Sequence, residues 1–299
     1  MLDRKVALQL SPEEIKNYGG PIFYVSHHAV TKPDSESTPN RIVFNSSAKF
    51  GKHVLNDYWG KGPDIMNNPL GIMLRFREEE VAIVGDLKKM YHSVFMSEID
   101  QHVHRFLWRD LETYREPSTY IMTSVSFGDR PAGNIATVAL RKTAEIKKEV
   151  YPDAANVILK NSYVDDLIDS FSSDEKAQRI VNEISEIVEF GRFKIKNWII
   201  SSNAENHVRQ FSKEEKVLGI MWNVNKDVLS FNIRLNFSVK VRKVHSKPDL
   251  NLQEIPANIP LILTRRMLLS QINSIYDPIR CFITIHSTGK SVNERIMGN

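Results

Sequence analysis

Apolar positions along the chain fall into a few well-defined runs. Val81-Ala82-Ile83-Val84-Gly85-Asp86 is a short unbroken apolar stretch ending on a carboxylate, the pattern of a strand buried on both faces. Further on, Ala177, Ile180, Val181, Ile184, Ile187 and Val188 recur at helical spacing, with Ser172 and Glu175 placed as a capping box before them and Gly191 as the stop. Residues 131–150 also carry helical spacing, through Ile135, Val138, Ala139 and Ile146, and Pro152 marks the expected end. Between these helices, Val157-Ile158-Leu159 and Leu167-Ile168 flank Tyr163-Val164-Asp165-Asp166, which predicts two short strands meeting at an acidic turn. Arg41-Ile42-Val43-Phe44 predicts a strand after the polar, Pro-flanked loop 31–40, and Ser97 to Asp100 offers a capping-box-like helix start. A second hairpin is expected over residues 216–231, turning at Asn225-Lys226-Asp227. Beyond Val241 the pattern is broken by Pro248, Pro256 and Pro260, and only residues 265–276 read as helical. The order strand, helix, hairpin, helix, strand predicts an α+β layer, with helices on one face of an antiparallel sheet.

The 299 residues are 41% hydrophobic and 25% charged, an ordinary globular balance whose length favours two or so packed subdomains. No apolar run approaches the length of a membrane span, and the first residues, with Asp3, Arg4, Lys5, Glu13 and Glu14, carry no apolar leader core. A single cysteine, Cys281, excludes an internal disulfide and a cysteine-rich zinc site. These features predict a cytoplasmic or nuclear chain without a membrane partner. The net charge of +4 is compatible with a polyanionic partner and does not select one.

Three aspartates carry the candidate chemistry: Asp86 at a strand end, and Asp165-Asp166 at a hairpin turn. Neighbouring strand residues point to opposite faces, so only a turn lets both members of an Asp-Asp pair approach one site. Three carboxylates raise each other's pKa unless a cation joins them, and Mg²⁺, a hard ion, takes one or two carboxylates with substrate phosphates. Two such ions roughly 4 Å apart suit in-line phosphoryl transfer. Taken alone, the Asp165-Asp166 pair reads equally well as a solvated turn. His27 and His28 face opposite sides of a strand and have no further ligand nearby, so they read as structural.

Tyr163-Val164-Asp165-Asp166 resembles the Y-x-D-D box of reverse transcriptases, and Val84-Gly85-Asp86 through Tyr91 resembles the preceding motif with the first catalytic aspartate. The resemblance is closest to the Bel-Pao class of long-terminal-repeat retrotransposons. It rests on ordered blocks: Tyr24-Val25-Ser26-His27-His28-Ala29-Val30, Arg41-Ile42-Val43-Phe44-Asn45-Ser46-Ser47-Ala48-Lys49, Leu55-Asn56-Asp57, Lys61-Gly62-Pro63-Asp64 and Leu74-Arg75-Phe76-Arg77. Phe127-Gly128, Phe193-Lys194-Ile195-Lys196-Asn197-Trp198, Val217-Leu218-Gly219-Ile220-Met221-Trp222, Leu269-Ser270-Gln271-Ile272 and Tyr276-Asp277-Pro278 continue the order.

The resemblance implies a right-hand polymerase fold. Fingers would occupy residues 1–76 with part of 105–130, an RRM-like palm 77–230, and a partial thumb 231–299. It implies RNA- and DNA-templated DNA synthesis from deoxynucleoside triphosphates on a template–primer, with two Mg²⁺ ions (or Mn²⁺), inside a polyprotein whose other domains are partners. A virus-like particle would be one cytoplasmic setting. Asp86, Asp165 and Asp166, with the Leu87 carbonyl, would hold the ions. Arg41 would grip the triphosphate through its planar guanidinium, Tyr91 would exclude a ribose 2′-hydroxyl, and Phe127 and Gly128 would lie beneath the nucleotide. Lys196 would protonate pyrophosphate, with Lys194 competing, and Leu218, Gly219 and Trp222 would grip the primer. From the residues alone, a strand-edge surface charge is the lesser reading of Arg41, a core aromatic the better reading of Tyr91, and the 217–222 run is equally a hydrophobic hairpin. Three features depart from the family: Asn45 stands at a usual Asp, Gly133 at a usual Pro, and the tail after Pro278 is unrelated. They give weight to a second reading, a co-opted remnant that binds nucleic acid without polymerising. An RNA-dependent RNA polymerase is the lesser alternative, opposed by Tyr91.

Overall fold

In the computed structural model of the chain, described over residues 2–31, 39–201, 214–231, 235–238, 240–241, 244–245, 249–250 and 253–272, element ends follow local chemistry closely. After β1 (Ala7–Gln9), helix α1 (Pro12–Asn17) begins where Ser11 accepts the Glu14 amide and Glu14 accepts the Ser11 amide, a reciprocal capping box. Strands β2 (Ser26–Thr31) and β3 (Asn40–Asn45) pair antiparallel, with His27 opposite Phe44 and Val30 opposite Arg41. A small hairpin, β4 (Lys49–Phe50) and β5 (His53–Val54), follows. Asn68 caps α2 (Pro69–Phe76), which buries Ile72, Met73 and Phe76. The apolar run becomes β6 (Val81–Leu87), buried except for partial exposure at Asp86. Ser97 caps α3 (Glu98–His102), and β7 (Arg105–Trp108) pairs with β8 (Ser118–Met122). Next come α4 (Ala132–Lys147), α5 (Pro152–Asn161), β9 (Ser162–Tyr163), β10 (Asp166–Phe171), α6 (Asp174–Phe190) and β11 (Ile195–Ile200). The remaining elements are β12 (Glu215–Val217), β13 (Ile220–Asn223), β14 (Val228–Ser230), β15 (Lys240–Val241), β16 (Val244–His245), α7 (Ile255–Asn258) and α8 (Arg265–Ile272).

The fold is mixed α/β with antiparallel sheets. Strand orders are β1-β8-β7, β11-β6-β10-β9 and β12-β13-β14, with two-stranded pairs β2-β3, β4-β5 and β15-β16. The chain divides into two compact units. The first comprises Met1–Asn67, Gly85–Ile168 and Glu175–Trp198. Its core joins Val6, Ala7, Val25, Phe44, Leu55, Phe106, Tyr120 and Met122, and His27 packs beside it against the Phe44, Phe106 and Trp108 rings. The second comprises Asn68–Val84, Asp169–Asp174 and Ile199–Asn299. There Trp222 is fully buried, edge-on to Phe76 at 5.0 Å, and donates its indole N–H to Asp227 at 2.9 Å. Arg77 pairs with the same Asp227 carboxylate.

Several sequence expectations need correction. Val157-Ile158-Leu159 is helical, not a strand: Pro152 at the helix start, Asp153 in the first turn and buried Ala154, Ala155, Val157 and Ile158 give α5 a one-sided apolar face. Pro152 therefore opens a second helix as well as following the first. The acidic hairpin is built from Ser162–Tyr163 and the strand starting at Asp166. Helix α6 begins at Asp174, one position later than a Ser172–Glu175 box requires, although its predicted stripe is fully buried. Left-handed backbone after α6 falls on Arg192, φ 63°, and not on Gly191. Gly191 is needed for space instead, because a Cβ there would stand 2.5 Å from Thr143 Oγ1. Residues 32–38 of the polar loop, the end of the helix expected over 265–276, and the tail after Pro278 lie outside the described residues.

This contact generates a stability prediction. Gly191→Ala should destabilise the chain by about 1–3 kcal/mol through overpacking. Thr143→Ala should recover part of that loss, giving a non-additive double-mutant cycle in urea unfolding. Additive losses would mean that α4 and the end of α6 are not in the contact described.

Candidate active site

Asp86 occupies the sixth position of β6, directly after a glycine that the packing demands. A Cβ on Gly85 would lie 2.5 Å from the Trp198 ring, and that ring is held by its N–H donating to Ser185 Oγ at 3.1 Å. Pairing of Tyr163 with Asp166 leaves Val164 and Asp165 as a two-residue turn. Val164 sits at φ 54°, a left-handed conformation that costs a β-branched residue roughly 1–2 kcal/mol. The turn is docked on the end of β6 by the Leu87 amide, which donates to the Asp165 carbonyl at 2.7 Å. Asp165 thus lies in the turn and Asp166 opens β10, so the two adjacent carboxylates escape simple strand alternation.

The three aspartates feel one another. Burial first, then the Asp165 charge, raises the Asp86 pKa, and Lys196, whose Nζ is 3.8 Å from Asp86 Oδ2, partly counters this. Burial, then Asp165 and Asp86, pushes Asp166 up to about 7. Burial and the Asp165 charge also raise the Tyr91 phenol, which places Tyr91 beside the same group. Among the described residues, no three His, Cys, Asp or Glu side chains surround one point closely enough to hold an ion. The carboxylates therefore neighbour one another without closing a three-ligand cage. Their hard oxygen donors and mutual repulsion fit Mg²⁺, which needs only one or two carboxylates when substrate phosphates complete its shell.

Beside the carboxylates, Tyr91 packs on Phe127 with ring centroids 4.3 Å apart. Phe127 keeps about half its surface exposed, while Gly128, at φ 110°, has the Phe44 carbonyl 2.6 Å from where a Cβ would stand. Gly133 leaves ordinary van der Waals room, 3.7 Å, beside the Tyr91 hydroxyl. Arg41 is exposed on β3. The Lys88 amide donates to the Lys194 carbonyl at 2.7 Å, so the β6 end is tied to the segment bearing both candidate lysines. A cationic group adjoins it: burial, Arg4 and Lys88 lower the Lys89 pKa, and burial, Lys89 and Arg4 bring His92 down to about 4. Leu218 (φ 45°), Gly219 (φ 89°) and buried Trp222 shape the β12–β13 turn in the second unit. Trp222 contributes there through the hairpin's form, since its side chain is enclosed. Sequence reasoning missed the cationic group, because Arg4 is far away in sequence. It also missed a buried polar assembly of Ser46, Asn56, His104 and Asp129, whose members share no period or motif.

No protein-family profile matches the chain, and no curated protein matches it. Among solved structures, the fold is similar to that of a foamy viral protease-reverse transcriptase in complex with double-stranded DNA. The TM-score is 0.55 at 14% identity, covering 91% of this chain and 37% of that one. The likeness is one of fold, a reverse transcriptase-like fold, and this chain spans little more than a third of that protein's length. No helix among the described residues is long and apolar enough to cross a membrane.

The raised proton affinity of Asp166 has a measurable consequence. Folded Asp166 keeps its proton up to about pH 7, whereas an unfolded aspartate releases it near 3.8, so the folded state binds more protons between these values and loses stability as pH rises through them. In EDTA, Asp166→Asn should therefore be more stable than the parent at pH 8, by on the order of 1–3 kcal/mol, with the gain vanishing below about pH 4. Added Mg²⁺ should raise the parent's Tm more than the variant's. Equal stability of the two chains at pH 8 in EDTA would remove the like-charge cluster.

Proposed function

We propose that the chain is the polymerase portion of a reverse transcriptase of the Bel-Pao retrotransposon class, acting on a template–primer and deoxynucleoside triphosphates. Fingers over 1–76 with part of 105–130, palm over 77–230 and partial thumb over 231–299 belong to this reading. The observation that carries it is the meeting of Asp86 with the Asp165-Asp166 turn, on a fold similar to that of a reverse transcriptase.

In the reaction, the primer 3′-hydroxyl attacks the α-phosphorus, the new P–O bond forms, and the bond to pyrophosphate breaks. Two Mg²⁺ ions, with Mn²⁺ able to substitute, would supply charge stabilisation at the attacking and leaving oxygens. Asp86, Asp165, Asp166 and the Leu87 carbonyl would hold them. Arg41 would take the triphosphate in a bidentate contact. Tyr91 and Phe127, packed against each other at a tilt of 45° beside the carboxylates, would shape the space around the sugar and base. Lys196 sits 3.8 Å from Asp86 and would serve as acid toward the leaving pyrophosphate. Leu218, Gly219 and Trp222 would form the primer grip. Asn45 does not weigh against activity, since its side chain caps the Ser47 amide at 3.1 Å and so gives the strand end a local role.

Asp165→Asn should reduce primer extension by about a thousandfold or more, while salt-sensitive duplex binding stays near the parent's. A parent that binds duplex yet extends no primer in Mg²⁺ or Mn²⁺ would establish the remnant reading. Tyr91→Ala should admit ribonucleotides with deoxynucleotide incorporation largely kept. An unchanged ribonucleotide-to-deoxynucleotide ratio in single-nucleotide incorporation would return Tyr91 to a packing role.

A further inference from the structure

Behind Phe127 and Gly128 lies the buried polar assembly that no step above uses. His104, 3% exposed, points both ring nitrogens at oxygen: Nδ1 is 2.6 Å from the Asp100 carbonyl, and Nε2 is 3.0 Å from Asp129 Oδ2. A carbonyl and a carboxylate only accept, whereas a neutral imidazole has one donor and one acceptor nitrogen. Satisfying both contacts therefore takes the imidazolium.

The other Asp129 oxygen accepts the Ser46 hydroxyl at 2.5 Å. On either side of Asp129, the Gly128 carbonyl accepts the Asn56 amide at 2.9 Å, and the Arg130 amide donates to Asn56 Oδ1 at 2.8 Å. Residues 128–130 are thus pinned in succession, and Gly128 already has no room against Phe44. Phe127, the next residue back, rests on Tyr91.

We propose that His104 is a positioning residue for the nucleotide site: held as an imidazolium between Asp100 and Asp129, it fixes through Asp129 the loop that presents Phe127 and Gly128. This rests on the polymerase reading given above. The groups facing His104 are the Asp129 carboxylate from the loop, Asp100 from α3, and the Trp59 ring stacked on it at 6.0 Å and 18°. Burial alone would favour the neutral ring, but the hydrogen bond and charge of Asp129, with Asp100, more than offset it and raise the His104 pKa above its ordinary 6.5. The ring therefore holds its proton to higher pH than a free imidazole does and loses it as pH rises through the raised value. A neutral ring then sets a lone pair against an oxygen, and the pin on the loop slackens.

The test uses the full chain with two readouts over pH 6 to 10. An imidazolium stacked on indole quenches it, so Trp59 emission should rise with a midpoint above 6.5. That step should vanish in Trp59→Phe and in His104→Gln. In steady-state single-nucleotide extension, the deoxynucleotide KM of the parent should rise across the same step with kcat less affected. His104→Gln should raise KM about tenfold at neutral pH and flatten its pH profile. Asp129→Asn should act in the same direction. A purely structural role would lower Tm without moving the KM profile, and if His104→Gln fails to fold, the parent's emission and KM profiles decide alone. Emission without the step, or a KM that ignores it while extension proceeds, overturns the positioning role and leaves the polymerase standing. A parent that extends no primer at any pH overturns the polymerase reading and this proposal with it.

Discussion

The amide of Leu87 and the carbonyl of Asp165 meet at 2.7 Å, and through this contact the end of β6 and the turn between β9 and β10 share one place. The rest of the first unit's chemistry depends on it. It sets Asp86 beside Asp165 and Asp166, so that burial and like charge drive Asp166 up to about 7. It also fixes what the neighbours must be. Gly85 carries no side chain because Trp198 fills the space, Val164 accepts a left-handed backbone to complete a two-residue turn, and Lys196 offsets part of the charge at Asp86. The left-handed valine and the clustered acids cost stability in the bare protein. A left-handed valine and neighbouring acids that raise one another's proton affinity gain nothing from packing.

Much of this was legible in the sequence, and the reason is local. The buried strand ending at Asp86 and the stripe on α6 are periodic patterns that burial alone dictates, and both appear as expected. The acidic turn was also readable from the apolar Leu167-Ile168 strand that follows it, although the strand before it is Ser162–Tyr163 and not Val157-Ile158-Leu159. What misled was apolar content without period: Val157-Ile158-Leu159 reads as a strand in a three-residue window but is helical once Pro152 and the two alanines are counted. Gly191 misled differently. A glycine after a helix suggests a left-handed cap, yet the left-handed residue is Arg192, and Gly191 answers to the approach of Thr143 on another helix. That information is tertiary and has no local signal.

The candidate site divides along the same line. The carboxylates and Tyr91 could be proposed from short motifs, because their roles need adjacent residues in fixed order. The pin on the 128–130 loop could not, because Ser46, Asn56 and His104 reach Asp129 and its neighbours from three separated segments. Asn56 donates to Gly128 and accepts from Arg130 across 72 and 74 positions respectively. A buried amide that pairs with both a carbonyl and an N–H of that loop stretch holds it more firmly than apolar contact would.

These two tiers bear on whether the chain acts or only binds. Nucleic-acid binding draws on charge spread over a surface and tolerates small displacements, so a binding remnant has no use for a buried His104–Asp129 pair behind one exposed phenylalanine. Nor has it any use for a strained turn that gathers carboxylates, which repel a phosphate backbone unless a cation stands between them. Catalysis by positioning needs both, since a displacement of about 1 Å at the reacting groups can cost on the order of a hundredfold in rate. The structure sets a left-handed Val164 among Asp86, Asp165 and Asp166, and a buried set of paired polar contacts behind Phe127 and Gly128. In the proposed polymerase both would serve positioning, and a binding remnant would draw on neither.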